Sequence, residues 1–215
     1  VIILAKVIGL LLSIVVLVGL LLILEFPVNL QFSPANNGPY GTSALLKELG
    51  NSTKSSMIYI VETPNYDPSY LLNYVESGNT LVLAGNATYV NALLRSMNIS
   101  IILGNDVYSN STSYYCVPEN VITSHDGMSL VFPDPHPILG GVPLMISGKF
   151  SLVSEVNVGK GKLIVFSTPL FFLNRFVNSG YDNMAYIKEI VSNGVLVVNI
   201  PQPPLVTLRY QLGLI

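Results

Sequence analysis

The chain opens on an unbroken apolar stretch. From Val7 to Leu24, 18 consecutive residues carry no charge, and most are Leu, Ile or Val. At about 1.5 Å of rise per residue this run makes a helix about 27 Å long, close to the ~30 Å hydrocarbon core of a bilayer. Val1 to Ala5 lengthen it, and Lys6 reaches the headgroups by snorkelling. The run exceeds the ~7–15 apolar residues of a signal peptide, and Leu24-Glu25-Phe26-Pro27 lacks the small residues of a cleavage site. Residues 1–26 therefore read as an uncleaved transmembrane anchor, ended by Pro27.

Beyond the anchor, short apolar runs alternate with amphipathic ones. Val28 to Phe32 reads as a strand, and Ser33 to Thr42 as a loop rich in Pro, Asn and Gly. Thr42 or Ser43 caps a helix that runs to Leu49 and ends at Gly50. Strands are expected at Ser56–Val61, Thr80–Ala84 and Ile99–Leu103. Between them lie helices, one started by Asp67-Pro68 and ended by Gly78, the other over Ala87–Met97. This alternation predicts an α/β domain with a parallel sheet, because parallel strands need crossovers. Continuous apolar strands such as Thr80–Ala84 suit burial on both faces.

The pattern then changes. Asn105 to Thr123 is polar and reads as loop, followed by a short strand at Ser129–Phe132 and a turn-rich stretch through Gly140-Gly141. Leu152–Val158 and Leu163–Ser167 flank Gly159-Lys-Gly-Lys162 and predict a β-hairpin. A helix over Asp182–Ser192 and a strand over Val195–Ile200 close the domain. Residues 27–200 form the α/β unit, and 201–215 are an apolar tail with Arg209 as its one charge.

Composition narrows the setting. Half of the 215 residues are apolar and 10% are charged, against about a quarter charged in a typical soluble domain. The mean hydropathy of +0.56 excludes a disordered chain and argues against a plain cytosolic protein. The net charge is −2 without a basic run, so no nucleic-acid partner is expected. One cysteine rules out an intrachain disulfide and a multi-cysteine metal site. Lys6 is the sole charge before Glu25, which places the N-terminus in the cytoplasm and the main domain outside the cell membrane. Asn51, Asn86, Asn98 and Asn110 each begin a glycosylation sequon, consistent with that side.

Three segments together resemble a known family. They are Gly38-Pro-Tyr-Gly-Thr-Ser-Ala-Leu-Leu-Lys-Glu-Leu-Gly50, then Tyr70 to Gly85, then Gly159-Lys-Gly-Lys-Leu-Ile-Val-Phe-Ser167 with Asn174 and Asp182-Asn183. The chain is similar over residues 28–195 to a membrane-anchored family of unknown function. Its domain is like class I glutamine amidotransferases and is often encoded beside MoxR-type ATPases. The resemblance implies a flavodoxin-like three-layer sandwich whose first strand feeds the loop with Gly38 and Gly41. It departs at Ser167-Thr168-Pro169, where such domains often carry an acidic residue.

The chemistry points away from catalysis. An amidotransferase needs a nucleophilic Cys on a sharp strand-to-helix turn. The equivalent turn is Ala84-Gly85-Asn86-Ala87, and the amide of Asn86 is no nucleophile. The expectation is a non-enzyme without cofactor or metal: an anchored binding or scaffolding subunit of a cell-envelope complex. Its partners would be the bilayer, through residues 1–26, and other envelope proteins or glycans. In open α/β sheets ligands bind beyond the carboxyl ends of strands, which singles out Asn36, Asn37, Tyr40, Thr42 and Asn86. One competing reading is a hydrolase or metal-dependent enzyme built on Cys116, His125 and His136, with Asp126 and Asp134 nearby. The other is a pilin-like filament subunit packed through its first helix, although pilin heads are more often β-rich. Gly159-Lys-Gly-Lys162 precedes a strand, so it lacks the helix N-terminus of a phosphate loop.

Overall fold

A computed structural model describes residues 2–25, 28–49, 55–191 and 194–200, with positions 204, 206 and 208 of the tail. The expected chain break at Pro27, the cap at Gly50, the sequon at Asn51, the helix end at Ser192 and most of the apolar tail lie outside the described residues.

Helix α1 spans Ile2–Glu25. Its described side chains run from Lys6 to Leu21, and all but Gly19 are exposed. Among the described residues no helix is long and apolar enough to cross a membrane.

The rest is a mixed α/β domain. Its helices are α2 (Ser43–Leu49), α3 (Pro68–Glu76), α4 (Ala87–Ser96), α5 (Asn174–Val177) and α6 (Asn183–Ile190), with a 3-10 turn at Pro169–Phe172. Its strands are β1 (Ser56–Val61), β2 (Thr80–Gly85), β3 (Ile102–Leu103), β4 (Tyr114–Tyr115), β5 (Val117–His125), β6 (Met128–Pro133), β7 (Ile138–Leu139), β8 (Val142–Ser147), β9 (Phe150–Val158), β10 (Gly161–Phe166) and β11 (Val195–Asn199). The main sheet has the order β11-β1-β2-β10-β9-β7-β3, with β8 beside β9. Strands β11, β1, β2 and β10 are mutually parallel, and everything beyond β10 pairs antiparallel. A second sheet, β4-β5-β6, is antiparallel.

The parallel strands are continuously apolar because both of their faces are covered. Side chains alternate across a strand. Met57, Tyr59 and Val61 of β1, with Leu81, Leu83, Leu163 and Val165, meet Leu71 and Val75 of α3 and Val90, Leu93 and Leu94 of α4. Ile58 and Ile60, with Val82, Ala84, Ile164 and Phe166, meet the opposite layer. That layer holds Leu45 of α2, Phe176 of α5, Tyr186 of α6 and the small sheet. Phe132, Phe166, Phe171 and Phe172 pack there with ring centroids 4.6–6.3 Å apart. Asp67 caps α3 by accepting from the Tyr70 N–H at 3.0 Å, with Pro68 in the first turn, as the sequence predicts.

Three expectations are corrected. Val28–Phe32 is not a strand: the Phe32 N–H donates to Tyr40 O and the Ser33 N–H to Leu30 O, closing turns instead of a ladder. The stretch Asn105–Thr123 is not all loop, since it holds β4 and the start of β5. Ile99–Leu103 reduces to the two-residue β3, which pairs antiparallel with β7. Its edge is covered by an amide: Asn91 of α4 accepts from the Leu103 N–H and donates to Leu103 O. Asn183 of α6 treats Val131 of β6 the same way. Both side chains satisfy backbone groups that would otherwise stand open at a strand edge.

Candidate functional site

The parallel strands end together. Glu62 follows β1, Gly85-Asn86 ends β2, and Ser167-Thr168 follows β10. Gly85 has φ +153°, and a Cβ there would lie 2.1 Å from Val61 O, so no side chain fits at this turn. Asn86 caps α4: its Oδ1 accepts from the Thr88 N–H at 3.0 Å. Thr168 does the same for Leu170. From the antiparallel side, the segment after β6 brings Asp134 and His136. The His136 N–H donates to Ser167 O at 2.9 Å, and its Nδ1 lies 2.9 Å from Gly104 O. Asn105 follows. Gln31 and Phe32 close the N-terminal side. The result is a cleft of ≈ 470 Å³ at the carboxyl ends of β1, β2 and β10, where ligands bind in open α/β sheets.

Its electrostatics are acidic. Burial pushes the Glu62 carboxyl up to about 7, against the pull of the Asn86 backbone N–H. One Glu62 oxygen, Oε1, is buried without a hydrogen-bond partner. Asp134, held at φ 44°, is also raised, first by burial and then by the charge of Glu119; His136 and Arg175 act the other way.

The residues singled out from sequence divide. Asn86 lines the cleft. Asn36 is buried: it donates to Leu30 O and accepts from the Gly38 N–H. Thr42 is buried, and its hydroxyl donates to Phe32 O at 2.8 Å. Asn174, which entered only through the family resemblance, holds this loop. It donates to Asn36 O, Gly38 O and Ser43 Oγ, and accepts from the Ala44 N–H in the first turn of α2. Gly41 packs so tightly on Asn36 that a Cβ would stand 1.8 Å from its carbonyl oxygen. Asn37 borders a separate shallow hollow with Ser43, Asn174 and Asn178. Tyr40 is exposed, with the Arg175 guanidinium 5.7 Å from its ring centroid.

Cys116, His125 and His136 do not share the cleft. Cys116 is exposed at the corner between β4 and β5, with φ 67°. His125 packs against Tyr186 at 5.6 Å and lies 3.7 Å from Asp126. Of the three, His136 alone lines the cleft. Among the described residues, no three His, Cys, Asp or Glu side chains come close enough to hold a metal ion. Asn98 is exposed, while Asn110 binds the Thr112 and Ser113 N–H groups through its Oδ1. Gly159-Lys160 is the turn of the β9–β10 hairpin. Glu62 was missed from sequence. Its signal was a single carboxylate directly after the apolar run of β1.

Fold and cleft thus define a mixed α/β domain with a polar site at its strand ends. No protein-family model matches the chain, and no curated protein matches it. Among solved structures it is similar to the mmIFT52 N-terminal domain, at 16% identity and a TM-score of 0.49, over 69% of this chain and 80% of that one. It is also similar to the exo-β-1,4-mannosidase Op5Man5 from Opitutaceae bacterium strain TAV5, at 19% identity and a TM-score of 0.43, over 64% of this chain and 24% of the mannosidase. A cold-adapted β-galactosidase from Rahnella sp. R3 gives 13% identity and a TM-score of 0.29, over 70% of this chain and 24% of the galactosidase. These likenesses carry no assignment of chemistry to the cleft.

Proposed function

We propose that the chain is a membrane-anchored, extracytoplasmic binding or scaffolding subunit of a cell-envelope complex. Its recognition site is the strand-end cleft, and it supplies no nucleophile. The observation that carries this reading is Asn86. The β2–α4 turn, where an activated thiol would stand in an amidotransferase-like domain, holds an amide committed to capping α4. The helices and small sheet on two faces of the main sheet support the finer description as a flavodoxin-like three-layer sandwich.

The anchor rests on the whole of α1. The 24-residue helix carries 18 uncharged residues in a row, and the apolar side chains described between Val7 and Leu21 are left uncovered, Val15 at 70% and Leu12 at 65% exposure. Five residues lie between Glu25 and Gln31 of the cleft, so the two are at most about 20 Å apart along extended chain. Recognition therefore takes place near the membrane surface, with the N-terminus on the cytoplasmic side and glycans on Asn98 and Asn110.

Cross-linking in native membranes tests this. In a Cys116→Ala background, a cross-linker is placed at Thr88→Cys on the cleft rim or at Lys160→Cys at the far end of the sheet. The expected result is a stoichiometric envelope partner captured from Thr88→Cys and not from Lys160→Cys. A hydrolytic activity that disappears with Cys116→Ala in a still-folded protein would overturn the reading.

A further inference from the structure

The polar groups of the cleft are mixed and dispersed. Asn86 spends its Oδ1 on the Thr88 N–H, which leaves Nδ2 as a donor. Gly104 O can only accept, so His136 Nδ1 carries the hydrogen, and Nε2 of the neutral ring is an acceptor. Asp134 adds an exposed carboxyl, and the exposed amides of Gln31 and Asn105 each bring donors and an acceptor. Glu62 lies deeper, and its Oε1, shut away from solvent, is offered to no ligand. Among the described residues, no three His, Cys, Asp or Glu side chains close on one point.

That pattern decides among ligand classes. A metal ion or a lone ammonium group needs several acceptors focused on one atom, and this lining spreads them out. An anion would meet two carboxyls, with no Lys or Arg among the lining residues. An extended peptide draws its affinity from a main-chain ladder at a strand edge, whereas strand ends and loops frame this cleft. A nucleobase stacks on an open aromatic face, and Phe32, the one Phe, Tyr or Trp of the lining, is only 4% exposed. A saccharide carries hydroxyls that each donate and accept, spread around a ring. Its C–H face has Ala87, Pro169 and Leu170 to lie against.

We propose that the cleft binds a neutral saccharide through hydroxyls spread around its ring. Asp134 and His136 Nε2 accept from those hydroxyls, and Asn86 Nδ2 and the Asn105 amide donate to them. The inference rests on the reading of the cleft as the recognition site. A free sugar and a glycan carried by an envelope partner share this chemistry, and the test separates them.

The isotope-labelled full chain, in micelles of a sugar-free detergent, is titrated with the methyl glycosides of mannose, galactose and N-acetylglucosamine. Putrescine and inorganic phosphate serve for comparison. The expected result is saturable displacement of the Asn86, Asn105 and Asp134 amide resonances by at least one glycoside. Per-O-methylation removes the donating hydrogens of the sugar and keeps its oxygens, and should abolish the effect. Binding should be about ten-fold weaker in Asp134→Asn and in Asn105→Ala, both at exposed positions. Lys160→Ala, at the far end of the sheet, should leave it unchanged. In a second arm, the chain bearing a cross-linker at Thr88→Cys is added to membranes with and without periodate oxidation of their sugars. Capture lost on oxidation assigns a partner's glycan. Capture unaffected by oxidation, or absent, alongside glycoside binding assigns a free sugar; both results support the proposal. The absence of glycoside binding overturns it, as does binding that survives per-O-methylation or both cleft substitutions. No glycoside binding, with a partner still captured from Thr88→Cys, overturns the saccharide class and leaves the cleft as the recognition site. No glycoside binding, with a partner captured only from Lys160→Cys, overturns both readings.

Discussion

The two halves of the main sheet are built on different terms. In β1, β2 and β10 almost every residue is buried, because α3 and α4 cover one face and the second layer covers the other. In the antiparallel wing, Ile102, Leu139, Val142 and Ile146 are each at least half exposed. A parallel strand needs helical crossovers and is covered by them, whereas an antiparallel strand can leave one face open. The candidate site lies where the two halves meet: the covered half supplies Glu62 and Asn86, and the segment beside the wing supplies Asp134 and His136.

The contrast breaks most visibly by truncation. Phe166→Ala, in the fully buried ring cluster, should cost about 3–5 kcal/mol, whereas Ile146→Ala on the open wing should stay within about 0.5 kcal/mol. Denaturant titration of the full chain in micelles measures both, and equal losses would erase the distinction. Next is Asn174→Ala, which frees two backbone carbonyls and one N–H in the layer over the parallel half. At about 1 kcal/mol for each lost bond, a loss of about 2–3 kcal/mol is expected by the same titration.

Glu62 gives a smaller, pH-dependent effect. Its carboxyl is raised from 4.5 to about 7 in the folded chain. The folded state therefore keeps a proton that the unfolded state has released. The associated stability is complete below about pH 4.5, falls as the pH rises, and is gone above about pH 7. Its size is about 1–2 kcal/mol once solvent screening at this partly exposed site is allowed for. Glu62→Gln should flatten that limb of the stability–pH curve, and an unchanged curve would show that another group governs it. The smallest change is expected at Lys162. Its 3.2 Å ion pair with Glu155 joins the outermost parallel strand to the wing at an exposed site. Lys162→Ala should shift stability by less than about 0.5 kcal/mol, and by less still in high salt.

The same division governs what could be read from the residues alone. Ser56–Val61 and Thr80–Gly85 announce themselves because burial on both faces leaves no polar position to interrupt them. The wing is obscure because half-exposed strands such as β5, with Glu119, Asn120 and Thr123, look like polar loop. Val28–Phe32 is apolar enough for a strand, yet no sheet neighbour reaches it, a tertiary fact without local signature. At the site, Asn86 was visible through its turn. Asp134 and His136 were visible only as a Pro-rich pair, and topology, not spacing, brings Glu62 beside them.

Asn174 sets a clock on synthesis. The loop it ties down lies 130 residues earlier in the chain, counted from Ala44. At about 5–20 residues per second, a ribosome needs about 7–26 s to add that length. Strand β1 waits longer still for its neighbour β11. For that interval the segment that follows α1 emerges without its lock, which makes the window after synthesis of α2 the one in which a chaperone has most to protect.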